Sequence, residues 1–176
     1  KRGSFAFKEP IIFIDGGSRF QDNIGFSVGD GDSSDRALDE QLPIEKNYSD
    51  LAYALEKIPS NIEVIHAYGF LGKRRDHEWA NISAFHHLQL NLAATVYLEE
   101  NLLLLPAGEH EIKLKGNFSI MPCGIGEISI DGECKYHYFG DVKREYSSQF
   151  ISNIAYGVVR IVNSMPLGLY QYSSDL

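Results

Sequence analysis

The sequence predicts a fold in two parts: an α/β N-terminal domain with a mostly parallel sheet over residues 1–95, and an antiparallel β-sandwich over residues 96–176. Three observations predict it. In the first half, short apolar runs that end at Gly and Asp alternate with stretches of helical period. In the second half, short segments rich in β-branched and aromatic residues follow one another, broken by Gly, Pro or Asn. The composition of the 176 residues, 44% hydrophobic and 23% charged, is that of a globular chain, which excludes disorder and coiled coil as whole-chain descriptions.

The elements follow in order. Ile11-Ile12-Phe13-Ile14 is a continuous apolar run that stops at Asp15-Gly16-Gly17, as a buried parallel strand entering a tight turn does. Phe26-Ser27-Val28 reads as a second strand ending at Gly29-Asp30. Ser49 is placed to cap a helix whose inner face is Leu51, Ala54, Leu55 and Ile58 and which Pro59 closes. Val64–Ala67 is a third strand, and a helix from Asp76 to about Leu92 follows, with Trp79, Ile82, Phe85, His86 and Leu90 as inner positions. The second half offers strands at Ala94–Glu99, Leu102–Leu105, Glu111–Leu114, Phe118–Met121, Glu127–Ile130, Tyr136–Phe139, Tyr156–Val162 and Leu167–Tyr172. The junction between the two patterns falls near residues 93–101.

The net charge is −8, and residues 1–100 hold ten basic and sixteen acidic side chains. A chain of that sign offers no electrostatic footprint to a polyphosphate backbone, so nucleic acid is not an expected partner. Its longest apolar run, Leu102–Pro106, is far too short for a bilayer, and no membrane association is expected. No secretory signal is read at the N-terminus. A cytoplasmic location is therefore expected, with Cys123 and Cys134 as reduced thiols.

Carboxylates at strand ends carry the chemistry. In open α/β sheets ligands bind at the carboxyl ends of strands. Three such ends bear Gly-associated polar clusters: Asp15-Gly16-Gly17, Gly29-Asp30-Gly31-Asp32-Ser33, and the segment from Gly69 to Asp76, with Asp50 opening a helix between the last two. Asp30 and Asp32 in one loop suit a hard cation, and the Arg74 fork suits phosphate. Together these read as a site for Mg²⁺ and a nucleoside triphosphate. Simpler readings compete for each part, since Gly-Asp-Gly-Asp-Ser alone is a common polar turn and Lys73-Arg74-Arg75 alone a solvated charge run. An EF-hand fails because Gln41 stands at the twelfth position from Asp30, and a P-loop fails because Arg74 follows Gly72-Lys73. In His86-His87 one ring is expected to face the core and the other solvent, with no metal role.

The ordered set Ile14-Asp15-Gly16-Gly17-Ser18, Gly29-Asp30-Gly31-Asp32-Ser33, Lys46-Asn47-Tyr48-Ser49-Asp50 and Gly69 through His77, with Ser152-Asn153 further on, resembles the thiamine pyrophosphokinase family. The resemblance implies a homodimeric enzyme that moves the pyrophosphoryl group of ATP to the hydroxyl of thiamine, giving thiamine diphosphate and AMP, with an acceptor site at the subunit interface. It implies that Asp30, Asp32 and Asp50 hold Mg²⁺. Asp15, Gly16, Ser33, Lys46, Ser49 and Arg74 would bind ATP, and Asp50, Asp76 and Arg74 would serve catalysis. Tyr136, Ser152 and Asn153 would bind the acceptor, Tyr136 being the nearest match to the family's acceptor-side Trp. The sequence departs from the family pattern at Gly31 for Phe, Asn47 for Asp, Ser49 for Thr and Lys73 for Gly. These departures leave two other readings open: a non-catalytic homologue that binds a nucleotide or vitamin, and a pyrophosphokinase for another alcohol such as a pterin.

Overall fold

A computed structural model describes residues 11–21, 25–72 and 74–172. The chain divides into two compact units, one ending at Ile58 and the other beginning at Pro59.

In the first unit β1 (Ile12–Ile14), β2 (Phe26–Gly29) and β3 (Glu40–Gln41) form a parallel sheet in the order β1-β2-β3. The turn after β1 tightens into a 3-10 helix over Asp15–Phe20, and α1 spans Asp50–Glu56. Ser49 caps α1 as expected, its hydroxyl accepting from the Ala52 N–H at 3.1 Å. Val28, Leu42 and Ala54 make the buried cluster of this unit, with Ile14 and Tyr53 against it.

The second unit holds α2 (Arg75–Gln89) and the strands β4 (Val64–Ala67), β5 (Thr95–Leu98), β6 (Leu102–Leu105), β7 (Gly108–Lys113), β8 (Gly116–Pro122), β9 (Gly126–Cys134), β10 (Tyr138–Val142), β11 (Asn153–Asn163) and β12 (Leu167–Gln171). Among the described residues these nine strands share one mixed sheet, ordered β10-β9-β11-β8-β12-β6-β5-β4, with β7 on β11. The β4–β5 pair is parallel, and from β5 onward the pairing is antiparallel. The long strand β11 changes partners along one edge, pairing with β8 at Asn153–Ala155 and with β7 from Val158 to Asn163. Its register against β9 shifts between Ala155 and Val159. A single core joins Phe118 and Ile120 of β8 and Leu167 and Leu169 of β12 to Ile128 and Ile130 of β9 and Val159 and Ile161 of β11.

Four expectations are altered. The junction expected at 95/96 lies inside this continuous sheet, because β5 pairs with β4 on one side and β6 on the other. The change of sequence pattern there marks a change from parallel to antiparallel pairing. The strands expected as a sandwich are joined by hydrogen bonds through β11. On α2 the buried residues are Phe85, His86 and Gln89, whereas Trp79 is 65% and Leu90 67% exposed. Leu90 is the C-cap and leaves the helical stripe, and the Trp79 ring meets Tyr146 edge-on at 6.2 Å. Finally, β10 starts at Tyr138, because the backbone of Tyr136 is bound by a side chain, described below. No helix among the described residues is long and apolar enough to cross a membrane.

Candidate active site

The first unit concentrates carboxylates at the ends of β1 and β2. Asp15 follows β1 with φ +46, and Asp30 follows β2 directly. The two strand ends approach so closely that a Cβ on Gly29 would stand 2.8 Å from Asp15 Cα, so only glycine fits. Gly31 has φ +81, a left-handed conformation that accounts for glycine at this point of the loop. Arg19 ties the two loops together, its side chain donating to Gly16 O at 2.8 Å and to Ser33 O at 3.1 Å. The Ser33 hydroxyl donates to Asp32 Oδ1 at 2.8 Å, and the Asp32 N–H donates to Asp30 Oδ1 at 3.2 Å.

The result is a three-carboxylate cluster: one oxygen each from Asp15, Asp30 and Asp32 lies within 4.8 Å of the others. Asp15 Oδ1 is buried and has no hydrogen-bond partner among the described residues. A buried carboxylate oxygen without a donor is costly unless a cation or donor meets it. Three oxygens so placed, all hard donors, fit a divalent cation such as Mg²⁺.

Asp50, expected as the third ligand, is tied to a different partner. Lys46 Nζ lies 2.6 Å from Asp30 Oδ2 and 3.1 Å from Asp50 Oδ1, with only 7% of its side chain exposed. The second of these is an ion pair outside good hydrogen-bonding angles, since Asp50 Oδ1 is otherwise without a partner. The Lys46 hydrogen bond holds the Asp30 carboxyl below its ordinary range, assisted by the Asp32 N–H. Burial pushes Asp50 the other way; Lys46 opposes this, and the charges of Asp30 and Asp15 add to it. Lys46 itself is raised, chiefly by Asp30, and stays an ammonium ion at neutral pH. The structure thus brings Asp15, Asp30, Asp32, Lys46 and Asp50 together, with Asp15 rather than Asp50 in the three-carboxylate cluster.

Sequence reasoning gave Arg19 no role and read Lys46 only as an ATP ligand. Arg19 lies two residues past the Asp-Gly-Gly turn, and nothing local signals that its guanidinium crosses to Ser33. Lys46 and Asp50 are four apart, but Lys46 precedes the helix that Asp50 opens, so helical spacing gave no signal for their pairing.

In the second unit Arg74 and Asp76 flank the start of α2. Arg74 binds Asp76 through both a 3.2 Å Nε contact and a 2.5 Å terminal-nitrogen contact, and both side chains are exposed. Arg74 therefore holds Asp76 below the usual carboxylate range. Lys73 lies outside the described residues.

Tyr136, Ser152 and Asn153 also come together in this unit. The Asn153 amide accepts the Tyr136 N–H at 3.0 Å and donates to Tyr136 O at 2.7 Å. Its oxygen also accepts the Ile154 N–H at 2.8 Å. Asn153 is buried, so the two-way bond fixes Tyr136 while its ring stays exposed, with Lys135 Nζ 4.8 Å from the ring centroid. Ser152 takes φ +61, its N–H held by Ser119 Oγ at 3.0 Å and its side chain exposed.

No family model matches the chain, and no curated protein matches it. Solved structures do. The thiamin pyrophosphokinase of Geobacillus thermodenitrificans aligns with a TM-score of 0.67 at 18% identity, over 93% of this chain and 86% of its own. That of Bacillus subtilis aligns with a TM-score of 0.64 at 22% identity, over 92% of this chain and 87% of its own. The Candida albicans enzyme aligns with a TM-score of 0.56 at 12% identity, over 82% of this chain and 71% of its own. At these identities the likeness is one of fold: the small parallel sheet and larger mixed sheet are an arrangement this chain shares with thiamine pyrophosphokinases.

Proposed function

We propose that the chain is a Mg²⁺-dependent pyrophosphokinase that transfers the pyrophosphoryl group of ATP to the hydroxyl of thiamine, releasing AMP. The observation that carries this reading is the cluster of Asp15, Asp30 and Asp32 with its unpartnered buried oxygen, in a fold shared with thiamine pyrophosphokinases. Phosphoryl transfer asks for positioning and charge neutralisation rather than covalent catalysis, and carboxylates with lysine and arginine are the groups suited to it. A Mg²⁺ ion held by Asp15, Asp30 and Asp32 would neutralise charge on the polyphosphate.

The chain's own residues have distinct tasks in this scheme. Lys46 keeps Asp30 and Asp50 at fixed positions and offsets part of the local negative charge. Arg74 is the phosphate ligand and Asp76 the group next to the acceptor hydroxyl. Because these two are bound to each other, each must exchange its present partner for substrate. Tyr136 offers an exposed ring to the acceptor, Asn153 positions Tyr136 rather than touching the acceptor itself, and Ser152 offers an exposed hydroxyl. On the same reading the active form is a homodimer.

The deciding experiment is to incubate the protein with ATP, MgCl₂ and thiamine and to measure AMP. Thiamine-dependent AMP is expected, abolished by a chelator. AMP formed with a pterin alcohol but not with thiamine would replace the acceptor. ATP binding without AMP from any alcohol would replace the reading with a nucleotide-binding role.

A further inference from the structure

A second reactive arrangement lies away from the carboxylates, where α2 meets the segment after β8. Cys123 Sγ is 2.9 Å from His86 Nε2, and His86 Nδ1 is 3.3 Å from Gln89 Oε1. The proton positions follow from the network. Gln89 Nε2 donates both its hydrogens, to Ala94 O at 2.9 Å and Leu104 O at 3.0 Å, so its oxygen must face His86. An acceptor beside Nδ1 requires that Nδ1 carry the proton in the neutral ring. Nε2 is then a bare lone pair facing the thiol, whose single proton has two acceptors in reach, Nε2 at 2.9 Å and Met121 O at 3.3 Å. Nucleophile, base and orienting group thus lie within reach of one another in the order that activated nucleophiles use.

Gln89 is buried, but Cys123 and His86 are not sealed in with it. Cys123 is half-buried, and Cys123 and His86 line a cavity of about 180 Å³ with Ser83, His87, Leu90 and Tyr146. Burial pushes the Cys123 thiol up to about 12, with the charge of Glu145 adding to it, so the resting group is a thiol and not a thiolate. Burial holds the His86 imidazole below its ordinary value, which leaves it neutral and able to accept at pH 7. The other titratable groups facing the pair are His87 on α2 and Glu145 and Tyr146 in the loop after β10.

We propose that Cys123 is a nucleophilic thiol that exchanges with small uncharged disulfides, with His86 as its base and Gln89 as the residue positioning that base. Exchange at sulfur needs a nucleophile, a proton acceptor and room, with no oxyanion stabiliser, and the cavity offers these three. Glu145 disfavours an anionic disulfide, and Leu90 and the Tyr146 ring favour an apolar one. In the step, Cys123 Sγ attacks one sulfur of the disulfide while its proton passes to His86 Nε2. The disulfide bond breaks and the departing sulfur takes that proton from the imidazolium. The products are a mixed disulfide on Cys123 and one free thiol.

The test uses the whole chain with 2-hydroxyethyl disulfide, and peptide mass mapping to follow adducts on Cys123 and on the buried Cys134. Cys123 is expected to react at least about tenfold faster than Cys134, at a rate that levels off between pH 7 and 9, because a neutral histidine does the deprotonation. A rate climbing about tenfold per pH unit over that range would mean reaction through free thiolate and would overturn the proposal, as would equal rates at the two cysteines. His86→Gln is expected to slow Cys123 about tenfold or more, to restore the climb with pH, and to leave Cys134 unchanged. An unchanged Cys123 rate in a folded His86→Gln variant would reduce the contact to a structural hydrogen bond. The wild-type pH profile decides the matter if that variant does not fold.

Discussion

Asp32 differs from the other two members of the carboxylate cluster in being exposed, and Ser33 donates to its Oδ1. Asn at this position keeps that acceptor and removes the charge. Asp32→Asn is therefore expected to leave the circular dichroism spectrum unchanged and to lower AMP formation by roughly 100-fold or more, since an anionic ligand is lost. Near-normal turnover would remove Asp32 from the metal site. His86 makes a different kind of statement, about stability. Its folded value lies below that of a free histidine because burial disfavours the cation. Below the unfolded value of about 6.5 the unfolded chain binds the proton more readily, so stability is full above that pH and is lost as the pH falls toward the folded value. Urea titrations at pH 7.5, 6.5 and 5.5, followed through Trp79 fluorescence, are expected to show a midpoint that falls across this series. The fall should be weaker in His86→Gln.

At the scale of elements, the contact between β1 and β2 sets the geometry of the acidic cluster. An added methyl on Gly29 would meet backbone rather than a flexible side chain, and strand ends cannot part without moving Asp15 relative to Asp30. Gly17, on the turn that follows, has open space where its Cβ would stand. Calorimetric titration with Mn²⁺ is expected to show about tenfold weaker binding for Gly29→Ala and no change for Gly17→Ala. Equal affinities in both variants would separate the strand contact from the metal site. The start of β11 has a comparable role for Tyr136. Asn153→Ala breaks a two-way amide bond in a buried setting and is expected to cost about 2 kcal/mol in urea unfolding. Its KM for thiamine should rise more than its kcat falls, since Tyr136 would remain present but free to move. A stability loss with unchanged KM would make the bond purely structural.

For the whole molecule, what the sequence discloses is what periodicity and local chemistry determine. The β-branched stretch Tyr156–Val162 within β11 is visible in the residues, as are the apolar runs of β1 and β6 and the serine cap of α1, whereas the burial of Asn153 and Asn163 and the exposure of Val158 and Val162 are not. The ends of strands were legible too, and with them Asp15, Asp30 and Asp32. What periodicity does not encode is which strand pairs with which. The two-residue strand β3 and the 3-10 turn at Asp15–Phe20 are too short to bear a pattern, and the bonds from Arg19 to Ser33 and from Asn153 to Tyr136 span residues that share no local signal. The same limit explains the junction near 95/96, since an apolar strand such as β5 looks alike whether its neighbours are parallel, antiparallel or one of each. Pairing decides the issue, and it places β4 and β5 in the sheet whose core runs through Phe118, Ile128, Ile161 and Leu169. That core is joined in the second unit by further buried residues on β4, α2, β5 and β6, among them Ala67, Phe85, Val96, Leu98 and Leu104, so the unit's buried interior begins before residue 96. A segment with its own core is expected to fold by itself. A fragment of residues 59–176 should therefore give a β-rich circular dichroism spectrum and a single cooperative urea transition followed by circular dichroism, whereas a fragment of residues 96–176 should not, because it loses β4 and α2, with the buried Ala67 and Phe85, and leaves β5 without its parallel partner. Cooperative folding of the shorter fragment would restore the junction near 95/96 as the true domain boundary.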